Sequence, residues 1–141
     1  MIQGINHITL AVQCLQESKD FYITLLGCQP VVFWDEGAYL LAGNLWLTLI
    51  CDKNFQTQVR PEYTHIAFSV SDQAFDTLKA RITENKIAIW KENRSEGASL
   101  YFLDPNGHKL EIHVGHLQER INSIRQNPLP GYEIIMESEI Q

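Results

Sequence analysis

Residues 5–12, INHITLAV, and residues 64–70, THIAFSV, share one pattern, and this repetition decides the fold. In both segments a histidine and small or hydroxyl-bearing residues alternate with large apolar residues. A period of two predicts a half-buried strand. His65 lies 58 positions after His7, so the two histidines occupy equivalent places in a duplicated unit.

The segments that follow the first strand predict a helix and about three further strands. Residues 15–26 carry apolar residues at helical spacing, and Gly27 stands where a helix C-cap belongs. Apolar runs follow around 31–34 and over 38–50, with Gly43-Asn44 as a turn. We call this βαβββ unit module 1, about residues 4–52.

The same order of elements is predicted after His65. Ser71 can cap a helix over 72–85, with Phe75, Leu78 and Ile82 as its buried stripe. Three strands are predicted next, at 87–91, 99–104 and 109–114, with a turn at Pro105-Asn106-Gly107. This is module 2, about residues 62–115, and it is joined to module 1 by the region 52–62. A third helix, about 117–127, and an irregular Pro-containing tail complete residues 116–141. The fold class is therefore α+β, with paired βαβββ modules forming a cup-shaped mixed sheet in a single domain.

Strand alternation places candidate metal ligands on one side of the sheet. The first strand presents His7, Thr9 and Ala11, the strand after the join presents His65, Ala67 and Ser69, and the last strand presents Glu111 and His113. Burying such polar groups without partners would cost roughly 2–7 kcal/mol each. Two histidines and one carboxylate leave open coordination positions, as a Lewis-acid or redox metal requires. A single histidine on a strand is more often a hydrogen-bonded core residue, but the duplicated placement favours a metal site.

Composition excludes several functional classes. The net charge of −6 argues against a nucleic-acid-binding face. Neither a membrane helix nor a signal peptide is indicated. Cys14, Cys28 and Cys51 show no paired spacing, so a disulfide framework is not expected. These features predict a cytoplasmic globular protein.

A family resemblance narrows this interpretation. The segments NHITLAV, YTHIAFSV and LYFLDPNGHKLEIHVG resemble the vicinal oxygen chelate superfamily, whose paired βαβββ modules form a metal-binding cup. The segment WKENRSEGASLYFLDPNGHKLE resembles the fosfomycin-resistance glutathione transferases (FosA type), and the similarity covers roughly residues 1–127. Such enzymes are homodimers in which each cup is built from one half of each subunit. They add the glutathione thiol to the oxirane of fosfomycin and open the ring.

The resemblance also implies residue roles. His7, His65 and Glu111 would bind Mn²⁺. Lys91, Arg94, Tyr101 and Arg120 would hold the phosphonate, since arginine forks suit a tetrahedral oxyanion. Ser99 and Thr9 would lie beside the reacting oxygens, Tyr39 near the incoming thiol, and Trp34 and Trp46 in the pocket wall. The loop from Asn93 to Ser99 matches a potassium-binding loop, with Asn93, Ser95, Gly97 and Ser99 as its ligands. Without the resemblance, each basic residue would be interpreted as a solvated surface charge and this loop as a polar hairpin.

Two residues depart from the family pattern. Thr48 stands where a cysteine is common. Glu36 stands where an amide would suit the thiol region better, and its charge could weaken binding of anionic glutathione. The thiol preference therefore stays open, and the tail 128–141 has no family counterpart.

Several rival functions on the same fold stay open. Glyoxalase-type isomerases need a fourth protein ligand at the position of Thr48, which cannot serve. Extradiol dioxygenases share the two-histidine, one-glutamate site, but the loop at 93–99 and the basic cluster argue against them. Bacillithiol-using relatives tend to carry cysteine in place of Thr9, and hydrolytic relatives use a first-half glutamate base. A related enzyme could also modify an epoxide or phosphonate with another thiol or with water, and a non-catalytic protein could bind the drug on this fold.

Overall fold

The structure, a computed structural model, consists of two four-stranded sheets that repeat one topology. It describes residues 1–94, 97–136 and 138. Module 1 comprises β1 (His7–Val12), α1 (Leu15–Lys19), a π-helical segment (Asp20–Leu25), β2 (Gln29–Trp34), β3 (Gly37–Ala42) and β4 (Leu45–Cys51). Module 2 comprises β5 (Ile66–Ser69), α2 (Asp72–Glu84), β6 (Ile89–Lys91), β7 (Ser99–Leu103) and β8 (Lys109–His113), and α3 (Leu117–Gln126) follows it. The predicted α+β fold of paired βαβββ modules is confirmed.

Strand order and register are equivalent in the two sheets. The orders are β1-β4-β3-β2 and β5-β8-β7-β6, and in each the first two strands are parallel. Thr9 pairs with Thr48 in the first sheet, and Ala67 pairs with Glu111 in the second. Because Ala67 corresponds to Thr9 in the repeat, Thr48 occupies the position of Glu111, as the sequence predicts.

The core lies on the apolar faces of the predicted strands. In β1, Leu10 and Val12 are buried, whereas His7 and Thr9 are exposed. The alternation in the sequence therefore separates a core face from a face that is free to carry chemistry. The core cluster consists of Leu10, Val12, Phe21, Tyr22, Cys28, Ala38, Leu40, Leu47, Leu49, Ile82, Phe102, Leu110 and Ile112.

Some predicted boundaries are wrong. The helix over 15–26 is α-helical only to Lys19 and continues as a π-helical segment, in which both Phe21 and Tyr22 are buried. A π-turn adds a residue to the helical turn, so two consecutive aromatic residues can face the core. Strand β5 begins one residue after His65, and β6 is shorter than the predicted strand 87–91. Helix α2 matches its prediction, and the Ser71 hydroxyl accepts a bond from the amide of Ala74 at 3.2 Å.

The predicted Pro105-Asn106-Gly107 turn lies within a buried polar cluster that we call the 104–108 turn. Oδ1 of Asp104 accepts bonds from the backbone amides of Asn106 and His108 at 2.9 and 2.8 Å. Its Oδ2 accepts a bond from the Tyr22 hydroxyl at 2.8 Å. Burial raises the pKa of both the Asp104 carboxyl and the Tyr22 phenol.

The 104–108 turn also binds module 2 to module 1. The amide of Asn106 donates to Oγ of Ser18, and its Oδ1 accepts from the backbone amide of Gln13, both at 2.8 Å. Nε2 of His108 lies 2.8 Å from the carbonyl oxygen of Ala11, to which it donates. Three side-chain bonds to the end of β1 and to α1 therefore fix the relative position of the two modules.

The cysteines and the helices add two further observations. Cys14, Cys28 and Cys51 are free. In the part of the chain that the structure describes, no helix is both long and apolar enough to cross a membrane.

Candidate metal centre

His65 and Glu111 place two hydrogen-bond acceptors against each other. Nδ1 of His65 lies 2.9 Å from the carbonyl oxygen of Tyr63, and a carbonyl can only accept, so Nδ1 carries the proton. In a neutral imidazole Nε2 then has a free lone pair, and it lies 3.0 Å from Oε2 of Glu111. A lone pair and a carboxylate oxygen at this distance need a proton or a metal cation shared between them. The donor set therefore fits a metal ion.

His7, on the other sheet, has the same hydrogen-bond arrangement as His65. Its Nδ1 lies 2.7 Å from Oδ1 of Asn6, which leaves Nε2 free on an exposed ring. The ring packs against Trp46, with centroids 4.6 Å apart. Both predicted histidine ligands therefore present the same ring nitrogen with its second nitrogen held by an acceptor, as is usual for metal-binding histidines.

One chain does not assemble the predicted triad. His7 lies at the start of the first sheet, whereas His65 and Glu111 lie on the second. Within residues 1–94, 97–136 and 138, no three His, Cys, Asp or Glu side chains come close enough to hold one metal ion. Among the described residues, the predicted ligands are therefore divided between the two modules, with His7 on one and His65 and Glu111 on the other.

Ser99 and His113 extend the network around Glu111. The Ser99 hydroxyl donates to Oε1 of Glu111 at 2.7 Å and lies 2.7 Å from Nδ1 of His113. Sequence reasoning placed His113 on the same face as Glu111 but assigned it no role. Its separation of two residues from Glu111 on one strand was the available signal.

Lys91 and Tyr101, two of the residues predicted to hold an anion, lie near the carboxylate of Glu111. The Lys91 ammonium lies over the rings of Tyr63 and Tyr101, 4.7 and 4.6 Å from their centroids, and donates to the Tyr63 hydroxyl. That hydrogen bond raises the pKa of Lys91. Tyr101 is buried and pairs with Glu111 in the sheet register. Sequence reasoning missed Tyr63, because it lies before β5 where no periodic pattern marks it.

Arg120 and Gly97, a residue of the predicted potassium loop, lie near His113. Arg120 is exposed on α3 and lines a cavity of about 230 Å³ together with Gly97 and His113. The side-chain amide of Asn93 donates to the carbonyl oxygen of Gly97 at 3.0 Å, which closes the loop. Arg94 is exposed. The predicted ligand Ser95, like Glu96, lies outside the described residues.

The residue predicted near the thiol, Tyr39, and the two predicted in the pocket wall, Trp34 and Trp46, lie on module 1 with His7. Trp34, Tyr39 and Trp46 form a continuous aromatic row, with successive centroids 4.9 and 5.0 Å apart, which ends at His7. The row connects the predicted thiol position to a predicted metal ligand.

Thr9 and its neighbours are the remaining residues of the candidate site on module 1. Thr9 lines an open cavity of about 520 Å³ together with Glu36 and Lys53. Thr48 is 5 % exposed, and within the described residues its hydroxyl has no hydrogen-bond partner. The structure thus groups the catalytic candidates Thr9 and Tyr39 with His7, and it groups Lys91, Ser99 and Tyr101 with Glu111. Arg120 lines the cavity next to His113.

Comparison with known proteins identifies the family. A family model described as the Glyoxalase/Bleomycin resistance protein/Dioxygenase superfamily matches residues 4–112. The chain belongs to this superfamily. This is the vicinal oxygen chelate, or glyoxalase, superfamily, and the predicted resemblance to it is therefore confirmed.

Within the glyoxalase superfamily, the similar proteins include fosfomycin-resistance proteins. The chain is 46% identical over 133 residues to the glutathione transferase FosA of Serratia marcescens, covering 93% of this chain and 94% of that protein. It is 37% identical over 130 residues to the metallothiol transferase FosB of Staphylococcus epidermidis, covering 89% and 94%. A glutamate-to-glutamine variant of FosX from Listeria monocytogenes, solved with Mn(II) and 1S,2S-dihydroxypropylphosphonic acid, superposes with a TM-score of 0.75 at 26% identity, covering 86% and 99%. The predicted resemblance to this group is confirmed.

Proposed function

We propose that the protein inactivates fosfomycin by adding the thiol of glutathione to its oxirane, with Mn²⁺ and K⁺ as cofactors. The observation that carries this proposal is the pair of facing acceptors, His65 Nε2 and Glu111 Oε2, 3.0 Å apart. The 46% identity to a FosA glutathione transferase over nearly the whole chain supports the substrate and the thiol. The free cysteines fit a reducing compartment, and we place the protein in the cytoplasm.

The active unit in this proposal is a homodimer with shared sites. His7 of one protomer would join His65 and Glu111 of the other, since one chain does not bring three ligands together among its described residues. A two-fold dimer creates two such sites from the same pair of surfaces. Each site would then receive Thr9 and Tyr39 from the module that brings His7.

The metal would be held by His7, His65 and Glu111. Bound Mn²⁺ supplies Lewis acidity, which lowers the energy of negative charge on the oxirane oxygen as the ring opens. The protein residues supply orientation and proton transfer. Lys91, Arg94, Tyr101 and Arg120 would bind the phosphonate, and two of these, Lys91 and Tyr101, already contact each other near Glu111.

The chemical step is a substitution at one oxirane carbon. The thiolate sulfur forms a bond to carbon as the carbon–oxygen bond breaks, and the released oxygen takes a proton to become a hydroxyl. Tyr39 would orient the thiolate from the aromatic row, and Thr9 would donate a hydrogen bond to the oxygen. The loop residues Asn93, Ser95, Gly97 and Ser99 would hold K⁺, which adds positive charge next to the phosphonate.

A second candidate is favoured by Glu36. This carboxylate lines the same cavity as Thr9, where it opposes an anionic thiol. A different thiol or water would then open the oxirane, with the phosphonate site unchanged.

Mass spectrometry of the products tests both candidates. The purified protein is mixed with fosfomycin, Mn²⁺ and K⁺, with and without glutathione, and each metal is omitted in turn. We expect a glutathione adduct that disappears without Mn²⁺ and decreases without K⁺. A water adduct in both runs would establish hydration instead, and no product in any run would contradict enzymatic modification of fosfomycin.

A further inference from the structure

We propose that His113 is a positioning residue, which holds the Ser99 hydroxyl so that Ser99 fixes the carboxylate of Glu111 in its metal-binding orientation. This inference rests on the proposed role of Glu111 as a metal ligand. It assigns a function to a side chain that the proposed reaction does not otherwise use.

The direction of the hydrogen bonds shows which side chain orients the next. A serine hydroxyl has one hydrogen, and Ser99 donates it to Oε1 of Glu111 at 2.7 Å. The 2.7 Å contact between Ser99 Oγ and Nδ1 of His113 must then be a bond that the imidazole donates. The chain of bonds therefore runs from His113 through Ser99 to Glu111 in one direction. Oε2 of Glu111, the oxygen that faces His65, is left outside this chain of bonds.

The packing around His113 holds the ring in one place. Its side chain is 26 % exposed. Gly97 has φ of 84°, and a Cβ there would lie 3.4 Å from Cε1 of His113 and 3.2 Å from the carbonyl oxygen of Val114. Gly115 has φ of 116°, and a Cβ there would lie 3.4 Å from Nε2 of the same ring. The backbone at two glycines with positive φ therefore lies in van der Waals contact range of the imidazole.

The position of His113 links three parts of the proposed site. Its ring contacts Ser99 on β7 through a hydrogen bond, and it lines the cavity that Gly97 and Arg120 also line. Gly97 and Arg120, at the start of α3, therefore lie next to the side chain that we propose orients the carboxylate. Hydrogen bonds that orient a metal ligand commonly change metal affinity by about 10- to 100-fold.

A double-mutant cycle with Mn²⁺ alone tests the proposal. The full-length variants His113→Ala, Ser99→Ala and the double variant are titrated with Mn²⁺, and free Mn²⁺ is measured by electron paramagnetic resonance. We expect His113→Ala to weaken Mn²⁺ binding by about 10- to 100-fold. In the Ser99→Ala background the same change should add less than about threefold, since it acts through Ser99.

A conservative variant separates positioning from folding. Asparagine can place an amide N–H near the position of Nδ1, so His113→Asn should bind Mn²⁺ within about fivefold of wild type. His116→Ala, which changes an exposed neighbouring histidine, is the matched control and should bind as wild type. Thermal unfolding of the metal-free variants accompanies each titration.

Three results would overturn the proposal. The first is wild-type Mn²⁺ affinity in His113→Ala. The second is that His113→Ala weakens Mn²⁺ binding as much in the Ser99→Ala background as in the wild type. The third is that His113→Asn and His113→Ala lose the same Mn²⁺ affinity, with a parallel fall in the melting temperature. Failure of the proposed function can be distinguished from failure of the role proposed for His113. Wild-type protein that binds Mn²⁺ but forms no fosfomycin adduct would remove that function and leave this proposal intact.

Discussion

The side-chain amide of Asn106 donates a 2.8 Å hydrogen bond to Oγ of Ser18, a residue 88 positions earlier in the chain. Asn106 is 2 % exposed and Ser18 is fully buried. The bond joins the turn between the last two strands of module 2 to helix α1 of module 1. Two modules with separate sheets are thus connected by buried polar contacts as well as by apolar packing.

Removing the Asn106 side chain should destabilise the whole chain. Asn106→Ala leaves the buried Ser18 hydroxyl and the part-buried Gln13 amide without their partners, and an unsatisfied buried group costs about 1–3 kcal/mol. We expect a loss of about 2–4 kcal/mol in the free energy of unfolding, measured by urea denaturation. Asn122→Ala, on the exposed side of α3, is the control and should change little. An Asn106→Ala variant as stable as wild type would show that the 104–108 turn does not hold the modules together.

The buried thiol of Cys28 should make stability fall at alkaline pH. Burial raises its pKa from 9.0 to about 11, so the folded state holds this proton more tightly than the unfolded state does. Its contribution is complete below pH 9 and is lost as the pH rises through about 11. At about 1.4 kcal/mol per pKa unit, the contribution is on the order of 2–3 kcal/mol.

Urea unfolding under reducing conditions at about pH 8 and about pH 10.5 measures how steeply the free energy of unfolding falls with pH. Cys28→Ala should lose less stability between the two values than wild type, whereas Cys14→Ala, which alters an exposed thiol, should lose as much. Tyr22, whose pKa burial also raises, adds a slope of the same sign in every variant. Equal slopes in Cys28→Ala and wild type would be inconsistent with the assigned burial effect.

Mixed dimers should regain activity from two inactive variants. His7→Ala and Glu111→Ala each remove one proposed ligand from every site of their own homodimers. When the two chains are co-expressed and pair at random, half of the dimers are mixed, and each mixed dimer has one intact site. We expect about a quarter of the wild-type activity and of the wild-type Mn²⁺ content. A mixture as inactive as its parents would contradict the sharing of ligands between the two chains.

Arg120 should contribute to binding of the anionic substrate. It lines the cavity next to His113, and a charge-assisted hydrogen bond to a phosphonate contributes about 1.5–3 kcal/mol. Arg120→Ala should raise KM for fosfomycin roughly 10- to 100-fold, with a smaller change in KM for glutathione. Arg125→Ala, on the same helix, is the control for lost surface charge. Equal effects of the two substitutions on steady-state kinetics would remove Arg120 from the site.

The sequence was sufficient to predict the fold because each signal was local. Alternation in residues 5–12 and 64–70 separated the exposed His7 and Thr9 from the buried Leu10 and Val12. The duplication then predicted the register that aligns Thr48 with Glu111.

Long-range and side-chain details were not predictable in the same way. The bonds of Asn106 to Ser18 and Gln13 join distant segments, and no periodic pattern marks such pairs. The π-helical segment depends on the burial of consecutive aromatic residues, which a period of 3.6 does not describe. The role proposed for His113 depends on which atom donates to Ser99, and only the geometry of the side chains gives that direction.

Thr48 also determines the net charge of the proposed metal site. If both modules had kept a glutamate at this register position, a divalent ion shared between two chains would meet two negative charges and be neutralised. With threonine at position 48, one carboxylate leaves one unit of positive charge uncompensated. That surplus would attract a doubly charged anion and disfavour cationic molecules. In the proposed site, the difference between the two modules at this one position would therefore favour anionic substrates.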